Sequence, residues 1–188
     1  GSQLNFVMRR LLALGGLPRW LRPALAAVLR MMGDGKLGEL VAAAGPRSAD
    51  GYRRLIAQAR ELSLSYLESL RARRIDAVVA PPHALPAVRH GHGGPDLMPA
   101  AGYAFAMNLL GVPAGVVAAG RVREDEAAVT AGGDKFAGLC RSTIRDSAGL
   151  PVGVQVAALP WREDIALCVM EHLEAHFQTQ PDYPGVCL

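Results

Sequence analysis

Apolar residues recur at two spacings along this chain, and each change of spacing marks a change of element. Over 17–32, LPRWLRPALAAVLRMM, Leu17, Trp20, Leu21, Ala24, Leu25, Val28, Leu29 and Met32 fall on one wide helical face, and Arg19, Arg22 and Arg30 fall opposite. Pro18 suits a first turn, and Pro23 predicts a kink or a second helix start. After the Gly33–Gly35 break, Leu37, Leu40 and Val41 continue the apolar supply. The strongest helix runs over 48–74. Ser48 caps it, Asp50 lies in its first turn, and Arg71, Arg73 and Arg74 close it. IDAVVAPP (75–82) predicts a short buried strand, and HALPAVRHGHGGPD a loop. A helix of small residues is expected over 98–111, a second buried strand over 112–120, a charged turn over 121–126 and an irregular helix over 134–146. PVGVQVAAL is a third strand, 162–177 a closing helix, and 178–188 a tail without period.

Strands that alternate with helices and are apolar on both faces imply an α/β arrangement with a largely buried sheet. The 188 residues fit one domain or part of a larger one, and 51% hydrophobic content excludes wholesale disorder. A net charge of +3 gives no case for nucleic acid. Of the 20 basic residues, only Lys36 and Lys135 are lysines. Cys140, Cys168 and Cys187 form no C-x-x-C, so a disulfide framework is not expected, and Cys168 reads as a small core residue.

The longest uncharged run in the first helix, Pro23 to Leu29, is far short of the ~20 residues that span a bilayer. An apolar face with Trp and Leu opposed by arginines fits a helix lying in a membrane interface. It also fits an amphipathic helix packed on the domain's own core.

Histidines give little chemistry. His83, His90 and His92 share a loop with Asp96, but no rigid element fixes a metal geometry there, so no metal site is expected. His172 and His176 share a solvated helix face, and Leu173 stands where a metalloprotease motif needs Glu. No serine lies in G-x-S-x-G or S-x-x-K, and no Gly-Lys-Ser/Thr loop exists to cradle phosphate. Glu163 and Asp164 are explained by the dipole of the last helix. No cofactor is expected, and no catalytic residue is assigned within this chain.

Three stretches carry a resemblance. AGLPVGVQVAALPWRED followed by EHLEAHF looks like the C-terminal end of the amidase signature hydrolases. YAFAMNLLGVPAGVV (103–117) and DAVVAPP resemble that family's preceding elements, in the same order. LPRWLRPALAAVLRMM with GPRSADGYRRL is similar to the fatty-acid amide hydrolase branch, in which the corresponding helical pair is a membrane-binding cap. The resemblance runs from about Leu17 to Phe177.

The resemblance implies a serine amidase with a Ser–cis-Ser–Lys triad, in which a hydroxyl attacks the amide carbonyl beside a glycine-rich oxyanion hole. Neither the Gly/Ser-rich pattern nor the catalytic Lys occurs in these residues. The chain also opens Gly-Ser and not Met. It is therefore expected to be a C-terminal fragment of one amidase domain, inactive alone. Residues 17–44 would form the cap, 48–177 part of a mixed, largely buried α/β sheet flanked by helices, and 178–188 the tail.

By the same resemblance Phe136, Leu40, Ala44, Met98, Ala101 and Phe105 would line an acyl channel. Phe136 would match one aromatic of its gate, Leu40 would stand where the gate has another, so that the gate is altered, and Asp96 would stand where the branch carries an arginine near the port. Leu17, Trp20, Leu21, Leu25, Val28, Leu29 and Met32 would meet the membrane. The implied partners are a lipid amide substrate, a membrane surface and the missing N-terminal amidase half, with a homodimer allowed. The implied location is the cytoplasmic face of an intracellular membrane, or the cytoplasm. An amidase for small soluble amides and a non-catalytic membrane-binding or interaction module remain as alternatives.

Overall fold

The computed structural model describes residues 16–18, 20–88, 95–127, 133 and 135–185. The expectations placed on His90, His92, Arg19 and Cys187 fall outside them, as do the side-chain roles of Asp96 and Lys135.

The chain enters through a helical hairpin, α1 (Leu21–Met31) and α2 (Gly35–Ala43). Helix α1 starts four residues later than Leu17, leaving Pro18 outside it. Pro23 occupies the first turn, where its missing N–H has no intrahelical acceptor to lose. Gly33 ends the helix with φ 79°. The two helices pack through Ala26, 1% exposed, and Val41, 0% exposed. Gly38 allows the approach, since a Cβ there would lie 2.9 Å from the Ala26 carbonyl oxygen.

One assignment on this hairpin is reversed. Arg22 belongs to the arginine face opposite the apolar one, yet it is 7% exposed. Its Nη1 donates to the Ala44 carbonyl at 2.7 Å and its Nη2 to the Leu17 carbonyl at 2.6 Å. Those carbonyls flank the hairpin, and a planar guanidinium can reach two acceptors at once. The apolar arc around Trp20 is left outside.

Helix α3 (Ala49–Ala72) is 24 residues, about 36 Å long. The expected cap holds: the Ser48 hydroxyl accepts the Gly51 N–H at 3.1 Å. Only Leu67 of the helix is buried. Its apolar stripe is otherwise open, with Tyr52, Ile56 and Leu62 all more than half exposed. At its centre the Ser63 hydroxyl donates to the Leu110 carbonyl at 2.8 Å, tying it to α4 (Gly102–Leu110).

The segment before α4 corrects the sequence reading. Residues Pro95–Ala101 form a 3-10 helix and not the first turns of an α-helix; Pro99 lies inside it and has no N–H for an α-helical ladder. Gly111 ends α4 at φ 66°, a conformation that carries a penalty for residues with a Cβ.

Strands β1 (Ala77–Ala80), β2 (Ala114–Arg121) and β3 (Pro151–Ala158) form one sheet in the order β1-β3-β2, antiparallel throughout. The expected mixed sheet is thus antiparallel among the described residues. It is also less buried than its apolar sequence implies. Helix α6 (Glu163–Phe177) packs on one face, chiefly over β2 and β3. Val79 at the β1 edge and Val116 on the opposite face are each 53% exposed. Three strands with one helix layer cannot cover both faces, so apolar content alone overstated the burial.

Register and glycine spacing show which face is which. Gly115 lies under Met170 of α6, where a Cβ would come within 2.5 Å of the Met170 sulfur. Val156 pairs with Gly115, faces α6 and is 0% exposed. Strand alternation then turns Gln155 and Gly153 to the other face. A Cβ on Gly153 would stand 2.8 Å from Val116 Cγ1 and 3.0 Å from the Val117 carbonyl oxygen, so this glycine permits the close pairing of β2 and β3.

Helix α5 (Lys135–Arg145) is a regular α-helix, where the sequence suggested an irregular one. On α6 the inward stripe is Ala166, Met170, Leu173 and Phe177, all buried or half-buried. Cys168 is off that stripe and exposed, so the core role expected for it fails.

Candidate functional site

Two surfaces gather the residues singled out from the sequence. The first is the outer face of the hairpin. Trp20 is 79% exposed, Met31 88%, Met32 72% and Val28 48%. Ala24 and Ala27 are exposed beside them. Turning Arg22 inward leaves this arc of α1 free of charge. Leu17, Leu21, Leu25 and Leu29 are half-buried on the flank that turns toward α2. The predicted membrane set therefore divides: Trp20, Val28 and Met32 face outward, together with Met31, which lies outside that set. Among the described residues no helix is long and apolar enough to cross a membrane.

The second surface lies at the start of the sheet. Leu85, Leu97 and Ala100 form a small buried cluster, against which Val88, Phe136, Cys140 and Ile144 pack. Phe136 thus sits on α5 against the loop after β1 and the 3-10 helix. Met98 and Ala101, on that 3-10 helix, are half-buried, and Phe105 on α4 is 51% exposed. Leu40 and Ala44 are elsewhere: Leu40 is 39% exposed on α2, and Ala44 caps it. The fold brings Phe136 close to the 3-10 segment and leaves Leu40 outside that cluster.

Beside this cluster is a cleft of about 570 Å³, between the Pro81–Val88 loop and Val116, Pro151 and Gly153 of the sheet. The loop is held by the His83 ring, whose Nδ1 lies 3.1 Å from the Leu85 N–H it accepts. Gln155 faces the same side of the sheet. It is 3% exposed, and its Nε2 has no hydrogen-bond partner among the described residues. The sequence gives no sign that it lacks a partner.

Three hydroxyls near α5 serve the backbone. Ser142, Thr143 and Ser147 each donate to a carbonyl within their own helix or its end. His172 Nδ1 lies 2.8 Å from the Cys168 carbonyl, and its neighbours leave it exposed. Arg162 donates from Nε and Nη2 to both Asp164 oxygens at 3.0 Å. That hydrogen bond holds the Asp164 carboxyl below its ordinary range, and the same bond raises Arg162. Among the described residues no cluster of three or more His, Cys, Asp or Glu could hold a metal ion.

The family model described as Amidase matches residues 30–167. The chain belongs to the Amidase family. It is also 31% identical, over 179 residues and 93% of its length, to fatty-acid amide hydrolase 1 of Sus scrofa. It spans 30% of that relative's length. The family match covers the end of α1, all of α2 and everything from α3 to the start of α6, including both the cluster at Phe136 and the cleft beside it.

Proposed function

We propose that this chain is the C-terminal portion of a serine amidase that hydrolyses fatty-acid amides to fatty acid and amine. The observation that carries the lipid reading is the charge-free outer arc of α1, in a chain similar to a fatty-acid amide hydrolase. An arc holding Trp20, Val28, Met31 and Met32 in water is unfavourable, and an interfacial position removes it from water. A lipid amide already partitions into the bilayer, so a docked enzyme spares its transfer through water. Phe136, Met98, Ala101 and Phe105 would form the wall that receives the acyl chain, and Leu40 and Ala44 the wall nearest the hairpin.

The chemistry belongs to residues supplied by the rest of the amidase domain: a serine nucleophile, a second serine and a lysine base. Its partners are then the lipid amide, the membrane surface and that catalytic portion, at the cytoplasmic face of an internal membrane. The exposed stripe of α3 supports this, because Tyr52, Leu55, Ile56 and Leu62 offer an apolar strip with no cover among the described residues.

The test joins this chain to the catalytic portion of its parent enzyme and compares long-chain with short-chain acyl amides. Long-chain amides are expected to be the better substrates, and Trp20→Glu with Met31→Glu to lower vesicle binding at least tenfold. Equal turnover of short amides, together with vesicle binding unchanged in the double variant, would establish the small-amide reading instead.

A further inference from the structure

Where the hairpin meets the start of α3 lies a cleft of about 410 Å³, lined by Arg22, Arg30, Arg47, Ser48 and Gly51 together with small apolar residues. Among the described residues no aspartate or glutamate lines it. Arg22 is committed to the Ala44 and Leu17 carbonyls. Arg47 Nη2 donates to the Ala43 carbonyl at 2.9 Å, its one side-chain bond among the described residues. The Arg30 side chain makes no hydrogen bond or ion pair among them. The nearest acid of α3, Asp50, is exposed and paired with Arg53 at 3.1 Å.

The charge count favours an anion. The C-terminal carbonyls of α2 offer roughly half a negative charge. Three arginines line the same space, and a guanidinium carries five donors. The positive end of α3 adds to the surplus. The cleft also borders the outer arc of α1. At about 100° per residue, Pro23 and Arg30 fall between the buried Ala26 and the exposed Ala27, Trp20 and Met31.

We propose that this cleft binds the phosphate of an anionic phospholipid headgroup while the outer arc of α1 rests in the interface. The inference rests on the membrane-docking reading above and adds a choice of lipid to it. The apolar arc sets the depth, and Arg30 and Arg47 then stand at headgroup level, where each is worth a several-fold gain in binding to an anionic surface.

The 188-residue chain is sedimented with phosphatidylcholine vesicles and with the same vesicles doped with phosphatidic acid. Wild type is expected to prefer the doped vesicles, and Arg30→Gln with Arg47→Gln to weaken that binding roughly 30-fold while leaving binding to phosphatidylcholine alone unchanged. Arg30→Lys with Arg47→Lys keeps most of the preference. Arg71→Gln with Arg73→Gln removes the same charge at the far end of α3 and is expected to leave the preference intact. Circular dichroism of each variant checks that the helices persist. Equal binding of wild type to both vesicles would overturn the headgroup site and leave the docking arc standing; no binding to either would overturn both. An equal loss in the Arg71 and Arg73 variant would reduce the effect to net charge. Protection from thermal unfolding by inorganic phosphate alone, lost in the Arg30 and Arg47 variant, would assign the cleft to free phosphate and overturn the lipid.

Discussion

Replacing Arg22 by Met tests whether the buried guanidinium holds the hairpin together. Met keeps the length and the apolar stem, and it removes the bonds to the Ala44 and Leu17 carbonyls. A hydrogen bond from a charged donor contributes about 1.5–3 kcal/mol. Two of them set an upper limit near 3–6 kcal/mol. Two effects reduce that figure. Ala44 and Leu17 are half-buried, so water can take over part of the bonding, and the substitution removes the desolvation of a charge that is 7% exposed. The expected net loss is about 2 kcal/mol, which lowers the melting temperature by roughly 4–8 °C in a chain of this size. Lys can reach one carbonyl but lacks the planar fork, so Arg22→Lys is expected to fall about midway. Thermal unfolding followed by circular dichroism gives the total. Hydrogen exchange localises it, with faster exchange expected at the Ala44 amide, which donates to Leu40 at the end of α2. A Met variant within 0.5 kcal/mol of wild type, with Ala44 exchange unchanged, would refute the reasoning: the bonds would then only offset the burial of the charge.

Other expectations follow from the same geometry. Gln155→Met replaces a buried amide whose Nε2 has no acceptor among the described residues by an apolar chain of similar size. The isolated chain is expected to gain about 1 kcal/mol in chemical denaturation, and a loss instead would mean that the amide is satisfied. Asp164 is held below its ordinary pKa by Arg162, so its native form binds fewer protons than its unfolded form as pH falls toward the carboxylate range. The resulting stabilisation of the start of α6 is present above the unfolded value of about 3.9 and fades as pH falls through the lower folded value. Carboxyl carbon shifts should show Asp164 titrating below the ordinary carboxylate range, and the depression should disappear in Arg162→Gln.

Much of the order of elements was legible in the chain. Ser48 followed by Asp50 and a period of three and four is enough to start and sustain α3, because capping and periodicity act within a few residues. The strand around Val154 and the stops at Pro81 and Gly111 follow equally from local chemistry. GLPVGVQ also proved a reliable family signature. What it does physically was not legible. Gly153 is glycine because β2 passes too close for a side chain, and only the pairing of strands shows that.

Burial was decided elsewhere. The periodicity of α1 correctly drew an apolar arc and an arginine arc, and it could not say which one faces the protein. The reversal at Arg22 depends on the Leu17 and Ala44 carbonyls, the latter 22 residues away, and on Gly45, whose hydrogen in place of a side chain leaves room for the guanidinium. Cys168 came out of the core for a related reason: α6 meets the sheet along Ala166 and Met170, and an apolar period two residues wide does not fix the line of contact. The sheet looked buried because valines fill it, while only the packing of α6 on β2 and β3 shows that one face is covered and that the other leaves Val116 half exposed. Local sequence chose the elements of this protein; contacts between residues far apart in the chain chose which of their faces would meet water.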